Sequence, residues 1–570
     1  HPKHLDDQSA AAVADAVAAA ADGPWPGQLL GRAGLWQLEI RQSDSCFRFD
    51  RRSQTTGELE SGSASSAVVV RFSDVSGVDL MSGSGYRQHR YLCICRYTRR
   101  KRFRSISAVF SAKASTEDSS TAGKVGSRRR SVLLFQLSRI VGDGHSASSA
   151  EINLAVLRSV QQTCQQALRG SLCSPDSDLI NWSKPVLALA NPVSGRGRAV
   201  PLFRSVTMTV LQEADIAYRL VETEYSGYAR SLIREDPSLM AYGAIVAVGG
   251  DGLVHEMLNG LVDRFFDSGN DAGGLADALR RMPLACLPAG SGNGLGASLA
   301  FANGDKLNSS SENFLTTCTF NLTRSSPRPL DLAYVELLSS GANRQIVSFL
   351  SPINYGFLAR IDFESERWRG CLGGARFAAD FVSRLASPRS LPSCRARLAY
   401  LPAEAAAAGA EFCRNASSAS TSGRRSSGLR SLCRYLPTGE GADHNQWPET
   451  AAASAAGWVA LETDFLFIMI ASQSHMATDM YYAPGCNLND GQLYVTWVET
   501  GVSRTDLARM FLNLEAGEHV KCDNFRLATA VAFRLEPLTQ DWMGVDGEPV
   551  DCGVVQGEIL PGLGCVLAPC

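Results

Sequence analysis

The 570-residue chain is 45% hydrophobic and carries 55 Lys and Arg against 57 Asp and Glu, a formal net charge of −2. Its length predicts two to four domains, and a net charge near zero argues against a nucleic-acid-binding protein. No apolar run approaches the roughly 18 residues of a spanning helix, and 16 scattered cysteines, with Cys93 and Cys95 the only close pair, suggest neither a zinc site nor a small disulfide scaffold, so a reducing cytoplasm is the expected setting.

Residues 1–30 are alanine-rich and read as a low-complexity, frayed or weakly helical segment. Strand-like runs follow at 35–40, 68–72, 91–97 and 131–140, and then Leu154, Leu157, Val160, Cys164 and Leu168 recur at helical spacing. Short strands closed by one helix predict a mainly-β, pleckstrin-homology-like module over 31–175. Within it Arg96, Arg99, Arg100, Lys101, Arg102 and Arg104 alternate with Tyr97 and Phe103. Such a run suits an anionic lipid surface, at about 1 kcal/mol per residue; a solvated hairpin tip is the alternative.

From 184 to 325 the pattern changes. The apolar run 186–190 ends in Asn191-Pro192-Val193-Ser194-Gly195-Arg196-Gly197, the run up to Val248 ends in Gly249-Gly250-Asp251-Gly252, and 284–287 ends in Pro288-Ala289-Gly290-Ser291-Gly292-Asn293-Gly294. Each glycine-rich turn stands between a short apolar run and a helical pattern, as strand-to-helix units around a mostly parallel sheet require. Ligands of such sheets sit at the carboxyl ends of the strands. Glycines let backbone approach an anion, and the following helix offers unpaired N–H groups to phosphate. No Walker sequence occurs, and the dinucleotide fingerprint is a poor match. Phosphoryl transfer to a hydroxyl needs positioning, charge neutralisation and a proton acceptor. Asp251, between two glycines, is the candidate base; an N-cap for the helix starting near Leu253 is the alternative.

Beyond 326 the chain is richer in strand-like runs, at 332–337, 344–350, 464–470, 492–498 and 529–535, interrupted by one helical pattern at Leu507, Met510, Phe511 and Leu514. Residues 326–570 are therefore expected to form a β-rich, sandwich-like lid, with the active site in the cleft between it and the α/β unit. Residues 403–457, dominated by Ala, Ser, Gly and Arg, read as a disordered insert.

The glycine-rich blocks in this order, followed by His255-Glu256 and Asn259-Gly260, resemble the diacylglycerol-kinase-like lipid kinases, and within them the sphingosine kinases. The resemblance covers 184–401 and 459–568. It extends to the segment from Tyr355 to Glu366 and to Val545-Asp546-Gly547-Glu548, while Leu253 stands where diacylglycerol kinases carry threonine. It implies an α/β nucleotide-binding catalytic domain (184–325) and a β-sandwich lipid-binding domain (326–570). The implied activity is ATP-dependent phosphorylation of the primary hydroxyl of sphingosine or a related sphingoid base. A diacylglycerol or ceramide kinase, or an inactive lipid-binding adaptor, remains open.

The implied nucleotide site comprises Asn191, Gly195, Arg196, Thr223, Gly249, Gly250, Gly252, Gly290, Ser291, Arg369, Arg376, Gly547 and Glu548. Asp362 is implied to hold the substrate ammonium, flanked by Ile361 and Phe363 as in a strand. Mg²⁺ is implied by the reaction, with Asp546 as its ligand. A cytoplasmic protein in peripheral contact with membranes is expected. Pro352 and Gln492 depart from the family's head-group pocket.

Overall fold

The computed structural model describes strand segments between residues 23 and 139, and then 184–569 apart from 268–271, 308–310, 339–343, 373–374, 388–390, 408–428 and 437–456. The N-terminal segments β1 (Gly23–Pro24), β2 (Gln28–Gly31), β3 (Gly34–Arg41), β4 (Cys46–Arg52), β5 (Ala67–Arg71), β6 (Val75–Ser82), β7 (Arg90–Lys101) and β8 (Val125–Arg139) form one antiparallel sheet, in the order β5-β4-β3-β2-β8-β7-β6 with β1 on β3. The helix expected around 154–168 lies outside the described residues, as do Arg102, Phe103 and Arg104 of the basic run. Arg96 to Lys101 form the end of β7, paired along β8 as far as Lys101↔Val125. This sheet meets the rest of the chain at β6, where Arg324 Nη1 donates to Val75 O at 3.2 Å.

Three strands of the α/β unit, β9 (Val186–Ala190), β11 (Ala244–Gly249) and β12 (Leu284–Pro288), are buried at every position. Continuous apolar runs are what a parallel strand covered on both faces requires. β10 (Tyr218–Glu222) lies at the edge, and the parallel order is β10-β9-β11-β12. Strand alternation divides the side chains between two cores. Leu187, Leu189, Ile245, Ala247, Leu284 and Cys286 face one core, shared with α2 (Tyr228–Glu235), α3 (Asp251–Asp267) and α4 (Ala272–Arg281). Val186, Ala188, Val246, Val248, Ala285 and Leu287 face the other. That side is covered by α1 (Ala199–Leu202, running through a π turn into Met208–Glu213) and α6 (Ser311–Leu322), with α5 (Gly294–Ala302) following β12.

The sheet continues into the second unit through β22 (Val554–Pro569), which joins β12 at Leu284↔Val566. β22 pairs antiparallel along β13 (Ser325–Leu338), which carries β14 (Arg344–Ser348) on its other edge. Long strands then turn a corner. β17 (Val459–Ala471) pairs with β16 (Cys394–Pro402) over its first half and with β15 (Ile353–Gly356) and β18 (Leu493–Glu499) over its second. β19 (Arg526–Pro537) likewise pairs with both β16 and β18. The ring so closed encloses its own core around Tyr355, Phe465, Ile468, Phe533 and Leu535, giving the expected sandwich-like arrangement.

Two expectations need correction. Residues 357–364 form a helix, α7 (Phe357–Glu364), not a strand. Phe357 and Ile361, four apart, share its buried face, and in eight residues that spacing competes with strand alternation. Within the span read as disordered, Leu429–Leu432 forms a 3₁₀ turn, and Leu429, Cys433 and Leu436 are buried against the α/β core. Arg430 Nη1 bonds Glu336 Oε1 at 2.5 Å, and Glu558 accepts the backbone N–H of Arg434, Tyr435 and Leu436. Ala403–Ala407 is helical, and residues 408–428 and 437–456 of the span lie outside the described residues.

Candidate active site

The parallel register places the three glycine-rich turns side by side, with Ala190 opposite Val248 and Gly249 opposite Pro288. In the first, Val193 N donates to Asn191 Oδ1 at 3.1 Å and Ser194 N to Asn191 O at 3.0 Å. Gly195 and Arg196 then take positive φ of 59° and 61°, a backbone reversal of the kind that forms anion-binding nests. Arg196 is exposed there. Thr223 is buried beside this turn, its N–H donating to Ala190 O at 2.9 Å.

The second and third turns touch. A Cβ on Gly290 would stand 2.5 Å from Gly250 N, so only glycine allows the approach. Asn293, at φ 74°, closes the third turn by accepting from Gly290 N at 3.0 Å and donating to Gly290 O at 2.9 Å. Ser291 lies between them, half-buried. Asp251 begins α3, yet its carboxylate serves a different helix. Oδ2 accepts from Gly294 N at 2.7 Å and Oδ1 from Leu295 N at 3.2 Å, the first amides of α5. Those otherwise orphaned donors hold the carboxylate in one orientation. Burial raises its pKa to about 6, against the pull of the Gly294 and Leu295 amides, with Asp546 raising it further. A desolvated carboxylate at that value suits proton abstraction near neutral pH.

A fourth turn enters from the sandwich. It joins β20 (Met543–Val545) to β21 (Glu548–Val550), with Asp546 and Gly547 at φ 51° and 82°. Glu548 is exposed and approaches α3, its Oε1 2.6 Å from where a Cβ on Gly252 would lie. Asp546 is buried and does not fit the expected role of metal ligand. Oδ1 accepts from Ser348 Oγ, Leu350 N and Ser351 N at 2.7, 3.0 and 2.8 Å, and Oδ2 from Phe349 N and His255 Nδ1 at 3.2 and 2.9 Å. Five partners exceed the roughly four lone-pair sites of a carboxylate, so nothing is left for a cation. Asp546 is instead the joint between the two units. Among the described residues no cluster of three or more metal-ligating side chains occurs.

His255, Glu256 and Asn259 were singled out by the resemblance, but their roles were not evident from sequence. His255 and Asn259 follow Asp251 at four-residue steps along α3, so all three share a face. Asn259 bonds Val347 O and N at 2.9 and 3.0 Å, locking α3 to β14. Glu256 caps α2 by accepting from Gly227 N and Ala229 N.

Asp362, on α7 and a quarter exposed, is brought to the same cleft; its Oδ2 lies 3.9 Å from where a Cβ on Gly547 would be. Arg376, expected at the nucleotide phosphates, opens α8 (Arg376–Ala386) and is buried. Its guanidinium is committed to Asp362, Ser365 and Glu366, which corrects that expectation. Arg369 opens the short helix Arg369–Leu372, and its side chain lies outside the described residues. The lid helices pack on an apolar cluster that includes Phe357, Ile361, Phe381, Phe467, Leu507 and Met510.

Comparison with known proteins agrees with this geometry. The family model for the diacylglycerol kinase catalytic domain matches residues 185–334, and that for the YegS C-terminal NAD kinase beta sandwich-like domain matches 448–568. Rat sphingosine kinase 1 is 34% identical over 66% of this chain and 88% of its own length. Human sphingosine kinase 1 is 34% identical over 67% and 92%, and human sphingosine kinase 2 is 30% identical over 78% and 80%.

Proposed function

The chain belongs to the sphingosine kinase family, and from that premise we propose how its residues carry the reaction. It is an ATP-dependent lipid kinase that transfers the γ-phosphoryl group to the primary hydroxyl of a sphingoid base. One observation carries the mechanism. A desolvated carboxylate, Asp251, is fixed by two helix amides where the Gly250 and Gly290 turns meet. Asp251 accepts the hydroxyl proton as the oxygen attacks phosphorus in line. The turns at Asn191–Arg196, Gly249–Gly252 and Gly290–Ser291 hold the phosphates through backbone N–H groups, with Thr223, Gly547 and Glu548 bordering the nucleotide. Mg²⁺, when bound with the nucleotide, would supply charge neutralisation.

Asp362 holds the ammonium of the sphingoid base, which needs a carboxylate at the mouth of an apolar pocket. The cluster under α7 and α8 receives the alkyl chain, at about 0.8 kcal/mol per buried methylene. Domain limits of 184–325 and 326–570 are part of the proposal, and the change to antiparallel pairing at β13 supports them. A pleckstrin-homology-like module over 31–175 is part of the proposal; the described strands form a four-strand meander (β2 to β5) and a three-strand meander (β6 to β8) joined by β2 and β8. A cytoplasmic location with peripheral membrane contact is part of the proposal, resting on the lipid substrate and the basic residues of β7. Among the described residues no helix is long and apolar enough to cross a membrane.

The test is an acceptor panel of sphingosine, ceramide and diacylglycerol, with labelled ATP. Strong preference for sphingosine is expected. Equal use of ceramide, whose amine is acylated, would remove the role given to Asp362 while leaving the catalytic reading of Asp251 intact.

A further inference from the structure

β17 runs out at Ala471 onto a short stretch anchored on both sides of the cleft. Ser472 N donates to Leu350 O at 3.0 Å and its Oγ to Phe349 O at 2.9 Å, so it stands on the segment whose amides cage Asp546. Three residues later His475 N donates to Ser298 Oγ at 3.1 Å, and a Cβ on Gly294 would stand 2.7 Å from His475 O. Gly294 is the residue whose N–H holds Asp251. Gln473 lies between these two anchors. It is 1% exposed, and neither Nε2 nor Oε1 has a hydrogen-bond partner among the described residues. Among those residues it is the only side chain with two polar atoms in that state. Burying an amide with both ends unpaired is costly, which points to a ligand that pairs with them.

The strand gives the direction. Phe467, Met469 and Ala471 face the apolar cluster under the lid helices. Ser472 keeps a strand-like bond to Leu350, so the same alternation carried one step further turns Gln473 toward that cluster. The amide therefore stands where the cluster, read above as the alkyl-chain site, meets the turn of Asp251. Asn354 Oδ1 is also buried without a partner, but Asn354 is only half-buried and pairs with Met469, about 13 Å back along the strand.

Both ends of one amide pair with a donor and an acceptor on neighbouring atoms. A sphingoid base carries such a pair next to its reacting carbon, an ammonium on C2 and a hydroxyl on C3. As the chain enters an apolar cluster the C3 hydroxyl loses water and needs a partner. Diacylglycerol, with ester oxygens on the corresponding carbons, offers acceptors only and would leave Oε1 unpaired.

We propose that Gln473 is a substrate-binding residue: Oε1 accepts from the C2 ammonium and Nε2 donates to the C3 hydroxyl of the sphingoid base. Asp362 supplies the charge for the amine, and Gln473 reads the hydroxyl beside it. The inference rests on the sphingoid-base reading made above.

The full chain and Gln473→Met are assayed for kcat/KM with sphingosine and with its 3-deoxy analogue, which keeps the amine. Unmodified protein is expected to prefer sphingosine by at least about tenfold, and the variant to use the two lipids within about twofold. The loss is expected in KM for sphingosine, with KM for ATP unchanged. The midpoint of denaturant unfolding of Gln473→Met is expected to be equal or higher, because an unpaired amide is exchanged for an apolar side chain of similar length. Equal use of both lipids by the unmodified chain would overturn the proposal with no variant needed. A preference that survives in Gln473→Met would overturn it too. So would a variant that loses stability or fails to fold, since the amide would then have a partner within the fold. In each of these cases the sphingoid-base reading stands. If the unmodified chain phosphorylates neither lipid, that reading fails and takes this inference with it.

Discussion

Asp251→Asn separates the cost of the carboxylate from its use. In the folded chain its pKa is about 6 against an ordinary 3.8, chiefly because it is buried. A carboxyl group whose pKa is raised by folding contributes stability that is fully present below about pH 3.8 and is lost as pH rises through 6. A difference of about 2 pH units at about 1.4 kcal/mol each makes the ionised form cost about 3 kcal/mol at pH 8. Asparagine does not titrate, but its amide group leaves one of the Gly294 and Leu295 N–H groups without an acceptor, a loss of about 1–3 kcal/mol at every pH. The stability of Asp251→Asn minus that of the unmodified chain should thus rise by about 3 kcal/mol between pH 4 and pH 8, whatever its starting value. Denaturant unfolding across that range measures it. A difference that stays flat would refute the burial argument. The same ionisation sets turnover, because only the carboxylate accepts a proton. The rate should fall about tenfold per pH unit below about 6, and an acid limb centred near 4 would contradict the same reasoning.

Other outcomes follow from the same geometry. Gly290→Ala drives a Cβ into Gly250 and should weaken binding of a non-hydrolysable ATP analogue by at least about tenfold in calorimetry, with unchanged circular dichroism. Asp546→Asn sets an amide donor against a cage of donors and should destabilise by about 3 kcal/mol without changing the Mg²⁺ concentration that half-activates the enzyme. An altered Mg²⁺ dependence at normal stability would restore Asp546 as a ligand. Arg430→Met leaves Glu336 buried without its cation and should weaken docking of 429–436 by about 3 kcal/mol, seen as faster proteolysis within that segment.

How much of this could be read from residues alone depended on distance along the chain. The strand-to-helix units were legible because 186–190, 244–249 and 284–288 are apolar throughout and stop at glycine, which only strands covered on both faces need. Asp251 stood out for the same local reason, although the helix it caps begins 43 residues later. The work of Asp546 had no local signal, since its backbone donors lie 195 to 197 residues away. Arg376 was assigned to the phosphates by the resemblance alone, and nothing local to it signals its acceptors Asp362, Ser365 and Glu366. In 429–436 the spacing of Leu429, Cys433 and Leu436 is helical, but the surrounding Ala, Ser and Gly obscured it.

The central claim is phosphoryl transfer to a sphingoid base by Asp251. The most direct measurement is transfer of label from γ-labelled ATP to sphingosine by the full chain and by Asp251→Asn. The account expects labelled sphingosine 1-phosphate from the unmodified chain and a loss of about 10²–10⁴-fold in the variant. Absence of labelled lipid from well-folded protein, or a variant that keeps the full rate, would contradict it.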